Sequence, residues 1–408
     1  MMKIKADLLY DGFTETESRY ITIEGDRIVS VSSEPCNFDY EGVVTPAFID
    51  PHSHIGMERQ GEPGEEGETN DEIDQITPLN NPLNSIYFDD RAFKDAVDFG
   101  VLYSCVVPGS GNLLGGKAMI IKNFALNRHE AFVKHYGYKM ALGFNPRSTG
   151  NWKGTRPTTR MGVYAHLEST FDEVLQKREK ERCSLEDSLS DIEEKFNDDK
   201  IDEETRQERI EIVHLEHELE FSPTEKALLE ILDGKKTCKV HVHKEDDIIY
   251  LLELVEKYEL KITIDHACDV FNREIFELIA QKNIPVVYGP LGSFDYKVEL
   301  KHAYYQNPAL LMGSGVDYSL MTDHPVVLSH HLRDSLKYFL IQGMAPAEAI
   351  GLITSASARI LGLDKDLGSI AEGKLASLVV WDKDPFNLGA FPRAVIAEGK
   401  VIRDFTSK

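Results

Sequence analysis

Hydrophobic and polar positions alternate with two different periods along this chain. Near the N-terminus the period is two. In Ile21-Thr22-Ile23-Glu24-Gly25-Asp26-Arg27-Ile28-Val29-Ser30-Val31 the alternation runs up to Glu-Gly-Asp and resumes beyond it, which predicts a β-hairpin. The far end repeats the pattern, with a strand at 376–381 and a second hairpin over 394–402, turning at Glu398-Gly399. Two β-rich ends around a different middle predict one small sheet domain built from both termini. In the middle, short apolar runs alternate with segments of helical period. Strands are predicted at 48–50, 102–107, 118–122, 139–143, 237–242, 261–265, 285–288 and 317–322, and helices over 247–258, 269–282 and 329–343. Strands alternating with helices in this way are the pattern of an α/β (β/α)8 barrel. A doubly wound open sheet fits the alternation as well, but lacks the Gly-x-Gly-x-x-Gly turn of a dinucleotide site.

Residues 166–220 break the alternation. They are dense in Glu, Asp, Lys and Arg and poor in branched apolar side chains. They predict long solvated helices inserted between the fourth and fifth strands, the insertion as a whole ending near residue 232. An exposed excursion is the simplest reading, with a lid or partner-binding role as the alternative. His214 and His217, three apart in this polar stretch, read as surface residues.

Composition narrows the class only a little. A chain of 408 residues accommodates one large domain and a small one. Its net charge of −24 disfavours a nucleic-acid or anionic-membrane surface. The 5 cysteines are scattered, none in Cys-x-x-Cys spacing, and fit free thiols in a reducing compartment. No stretch approaches the roughly 18 apolar residues of a membrane span, and the start lacks the apolar core of a leader, so a cytoplasmic location is expected.

The chemistry lies at the predicted strand ends. The first strand runs into His52-Ser53-His54, and residues two apart on a strand point to the same side. Neutral imidazoles placed so suit a divalent ion such as zinc, iron or manganese. The fifth strand ends in His241-Val242-His243, the sixth in Asp265-His266 and the eighth in Thr322-Asp323-His324. In a barrel, parallel strands deliver these ends to one face, so four ends carrying imidazoles and a carboxylate predict a shared metal site.

With these residues in view, the chain resembles the amidohydrolase superfamily of metal-dependent hydrolases, and within it the imidazolonepropionase-like branch. The resemblance rests on Pro-Ala-Phe-Ile-Asp-Pro-His-Ser-His at 46–54, Gly-Ser-Gly-Asn-Leu-Leu-Gly-Gly at 109–116, Thr-Asp-His-Pro at 322–325 and the stretch 367–380. It covers nearly all of the chain outside 166–220. It implies a (β/α)8 TIM barrel over 46–367 and a small β-sandwich from 1–45 plus 368–408. It implies His52, His54, His241, His266 and Asp323 as ligands of one or two divalent ions, zinc first, with manganese or iron as alternatives. His241 rather than His243 is expected as the fifth-strand ligand, because the following helix falls at the family's usual spacing after it. Two-metal members also carry a bridging carboxylated lysine or a glutamate on strand four. Phe144 is expected at that position here and Lys139 at the opposite end of the strand, which favours one ion or a second held weakly.

The reaction expected from this set is attack of water on an amide, cyclic amide or N-acyl carbon of a small molecule, with Asp323 moving the proton. His243 and His324 are candidates for steadying the oxyanion. Deamination, imidazolonepropionase activity and deacetylation of an N-acetyl sugar are the alternatives within the class. A non-catalytic interaction protein is the alternative outside it, and a homo-oligomer is compatible with either. The glycine-rich loop could face substrate through Asn112. An acidic loop over 55–85 and a basic one over 145–162, with Arg147, Arg156 and Arg160, could hold a zwitterionic substrate or each other.

Overall fold

In a computed structural model, which describes residues 1–406 apart from 62, 64, 65 and 294–296, the two periodicities become two sheets. Glu62, Gly64 and Glu65 of the acidic loop thus lie outside the described residues. The strands in chain order are β1 (Met2–Tyr10), β2 (Glu15–Glu24), β3 (Arg27–Ser32), β4 (Tyr40–Pro46), β5 (Phe48–Ser53), β6 (Val101–Val106), β7 (Leu114–Lys122) and β8 (Phe132–Ala141). They continue with β9 (Thr237–Val242), β10 (Ile262–His266), β11 (Val286–Tyr288), β12 (Tyr318–Leu320), β13 (Leu378–Trp381), β14 (Pro392–Ala397) and β15 (Lys400–Asp404).

One sheet has the order β15-β14-β13-β4-β1-β2-β3, so its strands come from both ends of the chain. Its inward positions, among them Ile4, Ile21, Val44, Leu378 and Ile396, form a core of their own. Each is an alternate residue of its strand, which is why the period of two was visible. The junction between the ends is antiparallel, with Leu378 opposite Pro46 and Trp381 opposite Val43. Trp381 Nε1 donates to Thr45 Oγ1 at 3.0 Å, and its ring lies 5.8 Å from that of Phe48 at the start of the second sheet.

The second sheet runs β5 through β12 in sequence order. Strands β5, β6, β9 and β10 are buried at every residue, polar ones included, which explains why they do not alternate between core and solvent faces. Its two end strands come together. Asp323 N donates to His52 O at 3.1 Å, and His54 N to His324 O at 3.0 Å. Buried Asp50 accepts from Thr322 N at 3.2 Å and from the Thr322 hydroxyl. The result is a nearly closed eight-stranded α/β sheet.

One expectation is corrected. The strands are not all parallel, because β7 runs antiparallel to both β6 and β8. The segments joining them, 107–113 and 123–131, are too short for the crossover of a dozen or more residues that parallel neighbours need. The glycine-rich stretch 109–116 is therefore the tight connection from β6 into β7.

The charged insertion is helical. A helix of 38 residues, Arg160–Asn197, is followed by Glu203–Leu219 and Pro223–Leu232. Val163, Leu167, Phe171 and Val174 bury the first half of the long helix, whereas Glu203–Leu219 has no buried residue. Among the described residues no helix is long and apolar enough to cross a membrane.

Gly137 in β8 sits against β9 so closely that a Cβ would lie 1.8 Å from Thr237 O. Gly137→Ala is expected to cost about 1–3 kcal/mol by overpacking, read from the midpoint of chemical denaturation. A value within error of the parent would mean that this strand pair is not held as described.

Candidate metal centre

The ends of β5, β9, β10 and β12 bring two groups of donors together. His52, His54 and Asp323 form one, His241, His243 and His266 the other, and within each group the ligand atoms lie within 4.8 Å of one another. The His52 and His266 rings, 5.1 Å apart between centroids, join the two groups. All six residues are buried, His54 the least, at 8% exposed.

Each of four imidazoles has its outward nitrogen tied to an acceptor. His54 Nδ1 donates to Val107 O at 2.7 Å and His266 Nδ1 to Gly289 O at 2.9 Å. A carbonyl cannot donate, so in a neutral ring the opposite nitrogen, Nε2, is bare. His52 Nδ1 faces Asp265 Oδ2 at 2.5 Å, and His241 Nε2 faces Glu299 Oε2 at 3.4 Å. The nitrogens left over turn inward. His52 Nε2 is 3.4 Å and His54 Nε2 3.1 Å from Asp323 Oδ1, and His241 Nδ1 is 2.7 Å from His266 Nε2. Bare nitrogens that close, beside a carboxylate, are the donor set of a divalent cation, and imidazole with carboxylate suits zinc or its neighbours. Both ring nitrogens of His243 and Nε2 of His324 are buried without a hydrogen-bond partner. His324 Nδ1 accepts from Ser329 N at 3.2 Å, so the Nε2 proton of its neutral ring is free to be donated.

Lys139 is the second correction. The strand that carries it begins at Phe132, not at Lys139, so Lys139 lies two residues from its C-terminal end. Its Nζ stands 3.2 Å from His52 Nε2 and 3.2 Å from Pro108 O, fully buried between the ligand groups. Burial pushes the amine down to about 8, against the pull of Asp323 and Asp265. Phe144 lies beyond the strand's end, in the helical turn Phe144–Arg147, and its backbone N–H donates to Glu299 Oε1 at 2.6 Å.

Two buried carboxylates, Asp265 and Glu299, have no role assigned from the sequence. Asp265 shares its charge between His52 and Lys239 Nζ, 3.0 Å away. An Asp and two Lys inside otherwise apolar strands were a usable signal, since such groups are rarely buried without a partner. Glu299 belongs to no strand and no motif, and nothing in the pattern marks it.

The expected substrate groups make contacts within the protein, while Asn112 Oδ1, Arg147 Nε and Arg156 Nη1 are buried without a hydrogen-bond partner among the described residues. Asn112 Nδ2 donates to Asp71 O at 2.7 Å and Asp74 O at 2.6 Å, pinning the acidic loop. Arg156 Nε donates to Lys153 O at 2.6 Å and its Nη2 to Glu72 O, so the acidic and basic loops bind each other. Arg160 pairs with Asp246 at 3.2 Å and Asp247 at 3.5 Å. The Arg147 guanidinium lies 5.2 Å from the Phe144 ring centre. Beside the centre is a cavity of about 460 Å³, lined by Met57, Thr69, Asn70, Asn81, Ser85 and Pro108 among others.

Imidazoles and a carboxylate gathered at the ends of a nearly closed α/β sheet form a candidate divalent-metal site. The amidohydrolase family matches residues 182–404, more than half of the chain, and the chain belongs to that family. It is similar to the amidohydrolase tasK of Hapsidospora irregularis, 27% identical over 385 residues, which are 89% of this chain and 36% of that protein. The chain thus spans about a third of that relative's length, 36%. It is also similar to the crystal structure of an amidohydrolase from Thermotoga maritima MSB8, with a TM-score of 0.84, 25% identity, and 99% and 100% of the two chains covered. A prolidase complexed with N-methylphosphonate-L-proline shares the fold at a TM-score of 0.55 and 14% identity, over 99% of each chain.

The buried imidazoles carry a pH consequence. His52, His241, His243, His266 and His324 are all held below their ordinary value, first of all by burial. Below about pH 6.5 the unfolded chain therefore binds more protons than the folded protein, and stability falls with pH in that window. Asp50, pushed up to about 7 by burial, and Asp265, raised by burial as well, act in the opposite direction but are fewer. Chelator-treated protein is expected to melt at a lower temperature at pH 5 than at pH 6.5, and an unchanged or rising Tm would contradict the burial described.

Proposed function

We propose that this protein is a binuclear hydrolase of C–N bonds, acting on an amide, cyclic amide or N-acyl, peptide-like small molecule. The observation that carries the reading is the convergence of four inward-facing imidazole nitrogens, Asp323 and the buried Lys139 amine. The hydrogen bonds joining β5 to β12 support reading 46–367 as a closed eight-stranded barrel, a variant of the TIM barrel in which β7 runs against its neighbours, with a small β-sandwich from 1–45 and 368–408.

In this reading His52, His54 and Asp323 hold one ion and His241 and His266 a second, zinc being the first choice for such a set. When bound, divalent ions supply Lewis acidity, making water a stronger acid and drawing electron density from a carbonyl. Lys139, an amine lowered toward neutrality beside the two groups, could take up carbon dioxide with loss of a proton, and the resulting carbamate would add two carboxylate-type oxygens to the residues that would hold the ions.

Burial would raise the Asp323 carboxyl, but the His54 hydrogen bond and nearby positive charge bring it to about 2. It is therefore ionised at neutral pH and able to accept a proton from water. The water oxygen adds to the carbonyl carbon, and Asp323 returns the proton to the nitrogen as the C–N bond breaks. His243 and His324, each held near 3 mainly by burial, stay neutral and can donate N–H to the developing oxyanion. The cavity beside Pro108 is of the size small-molecule sites usually have, and its amide-rich lining favours a polar substrate.

The test is a screen of N-acyl amino acids, dipeptides and cyclic amides against zinc- and manganese-loaded protein. Asp323→Asn is expected to lower kcat by about 10²–10⁴ with an unchanged circular dichroism spectrum. Protein grown with ¹³C-bicarbonate is expected to show a carbamate resonance that Lys139→Met removes. A parent enzyme that binds no ion, or an Asp323→Asn variant of full activity, would overturn the assignment.

A further inference from the structure

Glu299 is 1% exposed, and among the described residues its ion-pair partner is an imidazole, His241 Nε2 at 3.4 Å. A buried carboxylate without a cation of its own is costly unless hydrogen bonds and nearby positive charge offset its lost hydration. Its other oxygen, Oε1, accepts the Phe144 N–H at 2.6 Å, which fixes the carboxylate plane. Room for it exists because residue 143 is glycine. A Cβ there would lie 2.3 Å from Glu299 Oε1, and φ is +87°. The neighbouring Asn145 Nδ2 also comes within 3.4 Å of His241 Nε2 and gives one of its two N–H groups to Ser110 Oγ at 2.6 Å, but an amide NH2 cannot accept a proton. Among the described residues this leaves Glu299 as the acceptor for a proton on His241 Nε2.

We infer that Glu299 is a positioning residue for His241: it holds the proton on Nε2, keeps Nδ1 bare toward His266, and so sets the affinity of the second metal position. The inference rests on the two-ion reading above. Glu299 does for His241 what Asp265 does for His52, but it arrives from the loop beyond β11 rather than from a strand. A carboxylate behind a ligating imidazole fixes both tautomer and ring orientation. The role needs two acceptor oxygens, one for Phe144 and one for His241. Glutamine offers one, and aspartate is too short to reach both.

The experiment is a titration of metal-free protein with zinc against a chromophoric chelator, on the parent, Glu299→Gln and Glu299→Asp. The parent is expected to take up two equivalents. In Glu299→Gln the first equivalent keeps its affinity and the second weakens by about 10–100-fold, with Glu299→Asp in between. Nitrogen-15 spectra of labelled histidine give a second readout, in which His241 changes from a single Nε2-protonated tautomer to a mixture in Glu299→Gln. Should Glu299→Gln fail to fold, Glu299→Asp carries the same comparison. An unaltered second equivalent in a folded variant, or equal weakening of both, overturns the positioning role and leaves the hydrolase reading intact. A parent that binds no zinc overturns both.

Discussion

Several imidazoles can share one small volume only if each gives away its outward proton. In this fold the acceptors are Val107 O, Gly289 O, Asp265 and, at longer range, Glu299. Two of these are backbone carbonyls at strand ends, so the sheet itself sets two of the tautomers. Oriented rings follow from that, and burial keeps His52, His241 and His266 neutral near physiological pH. The arrangement concentrates bare nitrogens at 2.7–3.4 Å from each other or from Asp323, which is unfavourable unless positive charge stands among them. Bound ions would supply that charge.

The scaffold explains why these groups meet. Residues of β5, β9, β10 and β12 are far apart along the chain, and the hydrogen bonds between the end strands close the distance. Asp50 and Thr322 fasten that seam one layer below the ligands. The sheet of the two termini packs Trp381 against Phe48, where β5 begins. The strand that carries His52 and His54 is thereby anchored at both ends.

Much of this was legible in the sequence because of how deeply the strands are buried. Eight short apolar runs gave eight strands, each overlapping its observed span, and four histidine-bearing ends pointed to one rim. What was not legible has physical causes. The direction of β7 depends on the length of its connections, and a run of Val, Ile and Met carries no arrow. Lys139 was placed at the wrong end because Phe132 to Tyr138 mixes Lys, His and Gly with aromatics and does not read as strand. Its lysine is polar where the pattern asks for an apolar residue, and that mismatch was the available clue. Glu299 acts from a loop, where hydrophobic periodicity says nothing. Asn112, Arg156 and Arg160 make intramolecular contacts, and sequence does not separate polar side chains that build a site's walls from those that face its ligand.

The long helix has a different consequence. At about 1.5 Å per residue, Arg160–Asn197 extends well past the point, near Val174, where its buried contacts with the body thin out. Beyond it only Ile192 is buried, close to the helix Glu203–Leu219, whose Ile212, Leu215 and Leu219 face water at 46%, 57% and 71% exposure. Such an arm adds little mass but much drag. The particle should tumble and sediment more slowly than a sphere of its mass, and a chain shortened to remove the arm should recover compact hydrodynamics without disturbing the clustered histidines.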